Sequence, residues 1–191
     1  MSLRAAVALA LALLSGARGA VAEEPVPAGD PTPKAVEALR LLTSEDAYQR
    51  QVGFLRLEAL REPATIDDIR PYADSRDPEM RSYALRALAA IQGPQAIPLL
   101  LDRLRAEKHA RVRRAALLGL EPLYSADPSL LPVFISALRD RSTEVRMAAV
   151  DVVSRIDHPD ARAAILVRKK RERRRDVRRV LELAMRRLGG S

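Results

Sequence analysis

"TEVRMAAVDVVSRI", Thr143 to Ile156, puts Ala149 three residues and Val153 seven residues after Arg146, the spacing of a single helical face. The same pattern recurs in "AYQRQVGFLRLEAL", "PEMRSYALRALAAI", "ARVRRAALLGLEPL" and "RDVRRVLELAMRRL". Their arginines, Arg50, Arg81, Arg113, Arg146 and Arg178, are separated by 31, 32, 33 and 32 residues. Three residues after each stands Gly53, Ala84, Ala116, Ala149 or Leu181, and seven after it Leu57, Leu88, Leu120, Val153 or Met185. The small residue in four of the five copies lets a neighbouring helix come close. A period of this length marks a repeat architecture.

A further helix precedes each of these. It is opened by Pro33, Pro63, Pro94, Pro128 or Pro159, since a proline in the first turn sacrifices no hydrogen bond. "PQAIPLLLDRL" keeps Ile97, Leu100, Leu101 and Leu104 in phase, and "PSLLPVFISAL" repeats this with Leu131, Phe134, Ile135 and Leu138. Each unit is a helical hairpin that cannot bury its own apolar faces, so the units must stack. The expected repeats are 33–62, 63–93, 94–127, 128–157 and 158–188, and the expected fold class is all-α.

These residues resemble the HEAT-repeat family, in its short bacterial form with "VR" before an alanine-rich helix. Val112-Arg113, Val145-Arg146 and Val177-Arg178 carry the pair outright, and Met80-Arg81 and Gln49-Arg50 carry it more loosely. Pro98 and Pro132 match the proline that bends the first helix in the family. The resemblance spans Pro33 to Leu188 and implies a right-handed α-solenoid of about five HEAT-like helical hairpins. It also implies a role for the turn residues six positions before each arginine: Ser44, Ser75, Glu107, Asp140 and Glu172. In the family an acid there joins the arginine in a ladder that runs from repeat to repeat. The expected ladder is Arg50, Arg81, Arg113, Arg146 and Arg178 with Glu107, Asp140 and Glu172, with Asp74 or Asp77 standing in where Ser75 has no charge. The rival reading makes the five arginines a row for phosphate. A partly buried arginine without its acid is costly, which favours pairing.

The chain opens with Arg4, ten apolar residues from Ala5 to Leu14 and Ala20-Val21-Ala22, the three parts of a cleavable signal peptide (residues 1–22). The expected protein is exported, periplasmic or extracellular, and cut after Ala22. Ten apolar residues are too few for a bilayer span, which takes roughly 20. Residues 23–32 form a flexible, proline-rich lead-in. No cysteine is present, which removes disulfides and thiolate chemistry in one step.

Catalytic chemistry has little to stand on. His109 and His158 are the only histidines and are too far apart for a zinc pair; Glu45-Asp46 and Asp67-Asp68 read as helix-start carboxylates, and Gly93 as a helix end. No enzyme, metal or cofactor is expected.

Charge is distributed unevenly. From Asp160 onward, 12 Lys and Arg face 4 Asp and Glu, net +8, whereas Glu23 to Asp157 holds 19 against 21, net −2. Arg168, Lys169, Lys170, Arg171, Arg173, Arg174 and Arg175 concentrate this charge. They form either a solvated cap for the last repeat or a docking surface for an acidic protein or an anionic membrane surface. Export and an aromatic content of 3% argue against nucleic acid. Stacked second helices would present a concave face bearing Ser82, Arg86, Arg114, Met147, Asp151, Arg155 and Arg179. The expected function is an exported, non-catalytic scaffold for protein–protein interaction. The alternative is a nucleic-acid-associated or lyase-like protein, because DNA glycosylases and bilin lyases use similar repeats.

Overall fold

The computed structural model describes residues 29–189. The signal-peptide segment and most of the lead-in lie outside the described residues. Within them every regular element is helical: α1 (Pro33–Leu41), α2 (Ala47–Leu60), α3 (Ile66–Ile69), α4 (Pro78–Gln92), α5 (Ile97–Ala106), α6 (Ala110–Leu120), α7 (Leu131–Ala137), α8 (Thr143–Ser154), α9 (Pro159–Arg171) and α10 (Arg175–Gly189). They pair into five hairpins. The second helices, α2, α4, α6, α8 and α10, pack each on the next and form the spine of an α-solenoid, while each first helix covers the second helix of its own hairpin.

Local chemistry sets the helix starts. Thr32, Asp46 and Asp77 cap α1, α2 and α4 by accepting the N–H of Ala35, Tyr48 and Glu79. The His158 ring does the same for α9, its Nδ1 taking the Asp160 N–H at 3.1 Å. All five expected prolines stand in the first or second position of a helical segment. Thr32 is also tied down across the first hairpin, its N–H and hydroxyl donating to the two carboxylate oxygens of Glu62 at 2.9 and 2.6 Å. Gly93 ends α4 with φ 56°, a conformation that needs no Cβ there.

The first helices of the middle repeats are less regular than their sequence pattern suggests. In the second repeat the helix is divided into a 3-10 turn (Pro63–Thr65), α3 and a further 3-10 stretch (Arg70–Asp74). Pro71 removes an N–H inside it, and the backbone tightens around the loss. Pro98 and Pro132 do not bend a continuous helix. Each is the second residue of an α-helix that follows a 3-10 turn, so the proline marks where the tighter winding stops.

The core follows the repeat offsets. Leu57, Ala84, Leu88, Ala116, Leu120, Ala149, Val153 and Leu181 are fully buried. So are the residues four after each arginine, Leu85, Leu117 and Val150, with Phe54 nearly so, until the last repeat, where the exposed Glu182 takes the position. That exchange of an apolar side chain for a carboxylate makes the outer face of the fifth hairpin more polar than those before it. The stretch Pro78–Ala106 is long and apolar enough to span a bilayer by composition alone. Gly93 divides it into α4 and α5, and α4 buries its apolar face against α2 and α6.

Gly53 sits where α2 crosses α1, and a Cβ there would lie 2.8 Å from the carbonyl oxygen of Ala38. Gly119 would meet only side-chain atoms, at 3.1 Å and beyond. Gly53→Ala is therefore expected to destabilise the protein by about 1–2 kcal/mol, a steric cost exceeding the gain in helix propensity, while Gly119→Ala stays within about 0.5 kcal/mol of the parent. Thermal melts of the two variants check this; equal melting temperatures would contradict the close approach of α1 and α2.

Candidate functional site: an arginine ladder with a basic end

Each of the first four ladder arginines holds its own turn, and Arg81, Arg113 and Arg146 hold the next one as well. Through Nη1 each donates to carbonyls of its own turn: Arg50 to Ser44 and Glu45, Arg81 to Ser75 and Arg76, Arg113 to Glu107 and Lys108, Arg146 to Asp140 and Arg141, all between 2.7 and 3.2 Å. Through Nε and Nη2, Arg81, Arg113 and Arg146 also reach forward to the acid of the following turn. Arg81 grips Glu107 at 3.0 and 3.1 Å, Arg113 grips Asp140 at 2.8 and 2.7 Å, and Arg146 grips Glu172 at 3.0 and 3.3 Å. These are fork-to-fork contacts of the strong, charge-assisted kind. They are also sheltered, with only 5% of the Arg113 side chain and 13% of the Asp140 side chain exposed.

The acid serves its own turn as well. One oxygen of Glu107, Asp140 and Glu172 accepts the backbone N–H two residues on, from His109, Ser142 and Arg174. At Ser44 and Ser75 the hydroxyl takes over that task alone, accepting from Asp46 and Asp77 at 3.2 Å. It carries no charge to offer the preceding repeat.

Three sequence expectations are corrected here. Arg50 has no acid among the described residues: its guanidinium donates to the carbonyls of Ser44 and Glu45. Neither Asp74 nor Asp77 replaces the missing charge, because Asp74 pairs with Arg103 and Asp77 caps α4. Arg178 is not a rung. It is exposed and its side chain makes no hydrogen bond among the described residues, where both oxygens of Glu172 are already engaged. The rungs that form run forward by 26 or 27 residues, and the acid six positions back offers its arginine a carbonyl.

A second set of ion pairs crosses the second-helix face in the opposite sense, from an arginine back to a carboxylate of the preceding repeat: Arg86 to Glu58, Arg111 to Glu79, Arg155 to Glu121 and Arg187 to Asp151. Arg86 and Arg155 are thus neutralised rather than presented for binding. Ser82 is buried, its hydroxyl donating to the Glu79 carbonyl, and Met147 is half-buried. Arg114 and Arg179 remain exposed and unpaired among the described residues.

The basic end divides in the same manner. Arg168 is consumed by Glu172, donating from Nε at 3.0 Å and from Nη2, and Arg174 reaches Asp176 at 3.3 Å. Lys169, Lys170, Arg171, Arg173 and Arg175 are exposed and have no carboxylate partner among the described residues.

Burial alone would raise the pKa of Glu172, but the hydrogen bonds from Arg168, the Arg174 N–H and Arg146 outweigh it and hold the carboxyl at about 2. Glu107 and Asp140 are lowered in the same way, burial being overcome by a turn N–H and a ladder arginine.

With the geometry established, comparison with known proteins gives one family. The model for HEAT repeats matches residues 33–121 and 111–186. The chain belongs to the HEAT-repeat family. Among solved structures, this HEAT-repeat chain is similar to the complex of CpcE and CpcF of phycocyanin lyase from Nostoc sp. PCC7120, with TM-score 0.63 and 23% identity over 79% of this chain and 97% of that one. It is also similar to an engineered protein, with TM-score 0.51 and 17% identity over 82% and 79% of the two chains. At these identities the likeness is one of fold. Comparison with curated proteins finds no match.

Ser75→Asp should give Arg50 the carboxylate it lacks and stabilise the protein by about 1–2 kcal/mol. Ser44→Asp, which faces no ladder arginine among the described residues, should change stability by less than about 0.5 kcal/mol; equal effects of the two in denaturant titrations would refute the directional ladder. Glu172 titrates lower in the folded chain than its ordinary value of 4.5, so its stabilisation is complete above about pH 4.5 and is lost as pH falls through about 2. The melting temperature of the parent is expected to fall across that window more steeply than that of Glu172→Gln, and parallel profiles would contradict the assignment.

Proposed function

We propose that this HEAT-repeat chain is an exported, non-catalytic scaffold for protein–protein interaction, with its basic last repeat as a docking surface for an acidic partner. One contrast carries the reading. Arg81, Arg86, Arg111, Arg113, Arg146 and Arg155 in the body of the solenoid are spent on ion pairs between repeats, whereas the last repeat concentrates Lys169, Lys170, Arg171, Arg173, Arg175, Arg178 and Arg179 without a carboxylate partner among the described residues. Unneutralised cations at one end of an elongated molecule create a field that accelerates encounter with an acidic partner and weakens with salt. Arg4, the apolar run Ala5–Leu14 and Ala20-Val21-Ala22 support export. No cofactor is part of the proposal.

The fold likeness to the phycocyanin lyase complex favours a second reading, a lyase-like protein that acts inside the cell. The two readings differ at the N-terminus. Export requires a mature chain beginning at Glu23, measurable by intact mass of the secreted or periplasmic fraction. A chain that keeps Met1 and stays with the cytosolic fraction would overturn the export reading.

Docking is tested with Arg173→Gln, Arg174→Gln and Arg175→Gln combined. In a pull-down from the exported fraction, the triple variant should lose the partner bound by the parent at low salt while melting within a few degrees of it. Partner retention by the variant, with no salt dependence in either protein, would place binding elsewhere.

A further inference from the structure

Exposed cations fare differently on the two sides of the solenoid. Across the second helices Arg86, Arg111, Arg155 and Arg187 reach carboxylates of the preceding repeat. Along the hairpin-turn edge they do not. Two exposed cations flank each ladder acid: Arg105 and Lys108 about Glu107, Arg139 and Arg141 about Asp140, Arg171 and Arg173 about Glu172. None of the six has a carboxylate within ion-pair distance among the described residues, because the acids between them are taken by Arg81, Arg113 and Arg146.

Helix stability explains only half of this double row. Arg105, Arg139 and Arg171 lie at the ends of α5, α7 and α9, where a cation complements the helix dipole. Lys108, Arg141 and Arg173 lie just before the second helices, where the dipole disfavours positive charge.

Apolar surface accompanies the charge. On the first-helix side a groove of about 410 Å³ opens between α5 and α7 over Leu104 and Val133, with Arg105 and Arg139 on its rim. The next, about 320 Å³, opens between α7 and α9 over Ile135 and Val167, with Arg139 and Arg171 on its rim. Val167 is 44% exposed, and Arg139 is common to both grooves.

We infer that this face of repeats three to five binds an acidic amphipathic α-helix of a partner protein, laid across α5, α7 and α9. Packed helices advance by about 8–10 Å, so the grooves and the cation pairs recur at that step. Seven residues of helix rise by about 10.5 Å. Apolar side chains seven residues apart on the partner therefore enter successive grooves, and carboxylates on the same face meet the double row. A polyanion without apolar side chains would satisfy the charge and leave both grooves open. The inference rests on the scaffold reading and moves its surface from the tip to the turn edge.

The test uses the mature chain and a fluorescent helical peptide of about three heptads, leucine at every seventh position and glutamate beside it, against a scrambled peptide of the same composition. Anisotropy is read at about 50 and about 300 mM salt. The helix is expected to bind at low salt, with affinity falling about tenfold or more at high salt, for the scrambled peptide, for Arg139→Glu and for Val167→Asn. The combined Arg175→Gln, Arg178→Gln and Arg179→Gln variant, altered only at the tip, should bind within about twofold of the parent. Far-UV circular dichroism establishes that each variant is folded. Equal binding of the two peptides, or no effect of Arg139→Glu, would overturn the inference. Loss of binding in the tip variant alone would leave the docking reading standing and remove this one; indifference to every variant removes both. Binding to phosphatidylglycerol vesicles through Arg139, without binding to the helix, would overturn the helix as occupant.

Discussion

A guanidinium carries five N–H donors in a fixed plane, and this fold places them on two turns at once. Arg113 holds the carbonyls of Glu107 and Lys108 with one nitrogen and the carboxylate of Asp140, one repeat further on, with the other two. Each hairpin is too small to bury its own apolar face, so the stack exists only if successive hairpins meet in one register. Apolar residues at offsets three, four and seven supply most of the attraction, but such contacts are non-directional and would tolerate sliding. The bidentate rung does not tolerate it. Burying an ion pair contributes little net stability against an apolar alternative, and its value here is the register it imposes.

The ladder is incomplete at both ends, in opposite ways. At the junction of the first two repeats a serine replaces the acid and the load passes to other contacts. Phe54 packs edge-on to Tyr72 with ring centres 5.4 Å apart and lies beside Tyr83 at 5.9 Å. At the far end Arg178 has no acid partner among the described residues, and the exposed Glu182 stands at the offset that is apolar in the earlier repeats. The chain therefore grows less apolar and more positive along its length. Its unneutralised charge collects at the last repeats and along the turn edge, and the proposed docking surfaces follow from that imbalance.

Much of the fold was legible in the sequence because it is periodic. The interval between Arg50, Arg81, Arg113, Arg146 and Arg178, the small residue three positions later and the proline before each first helix all describe one hairpin repeated, and each took its expected place. What failed to read was anything that depends on which neighbour a side chain faces. Glu107 stands six residues before Arg113, yet its carboxylate belongs to Arg81; only the geometry of the turn separates its carbonyl from its side chain. Arg168 belongs to a run of cations in the sequence but reaches one helical turn ahead onto Glu172. Ser82, polar and one residue after Arg81, looked exposed and is buried by the adjacent second helix. The cations flanking each acid are periodic too, and aligning the turns rather than the helices would have found them. Arg105, Lys108, Arg139 and Arg141 stand on either side of the ladder acids, outside the apolar offsets on which the helices align.

If the forward rung fixes the register, Arg113 and Asp140 must be energetically coupled beyond what each contributes alone. A double-mutant cycle on Arg113→Met and Asp140→Asn measures that coupling directly, from denaturant unfolding of the parent, the two single variants and the double variant. The account predicts a coupling energy of about 1.5–3 kcal/mol, with the double variant far less damaged than the sum of the singles. Additive losses, with coupling below about 0.5 kcal/mol, would mean that apolar packing alone sets the stack and that the ladder is incidental to it.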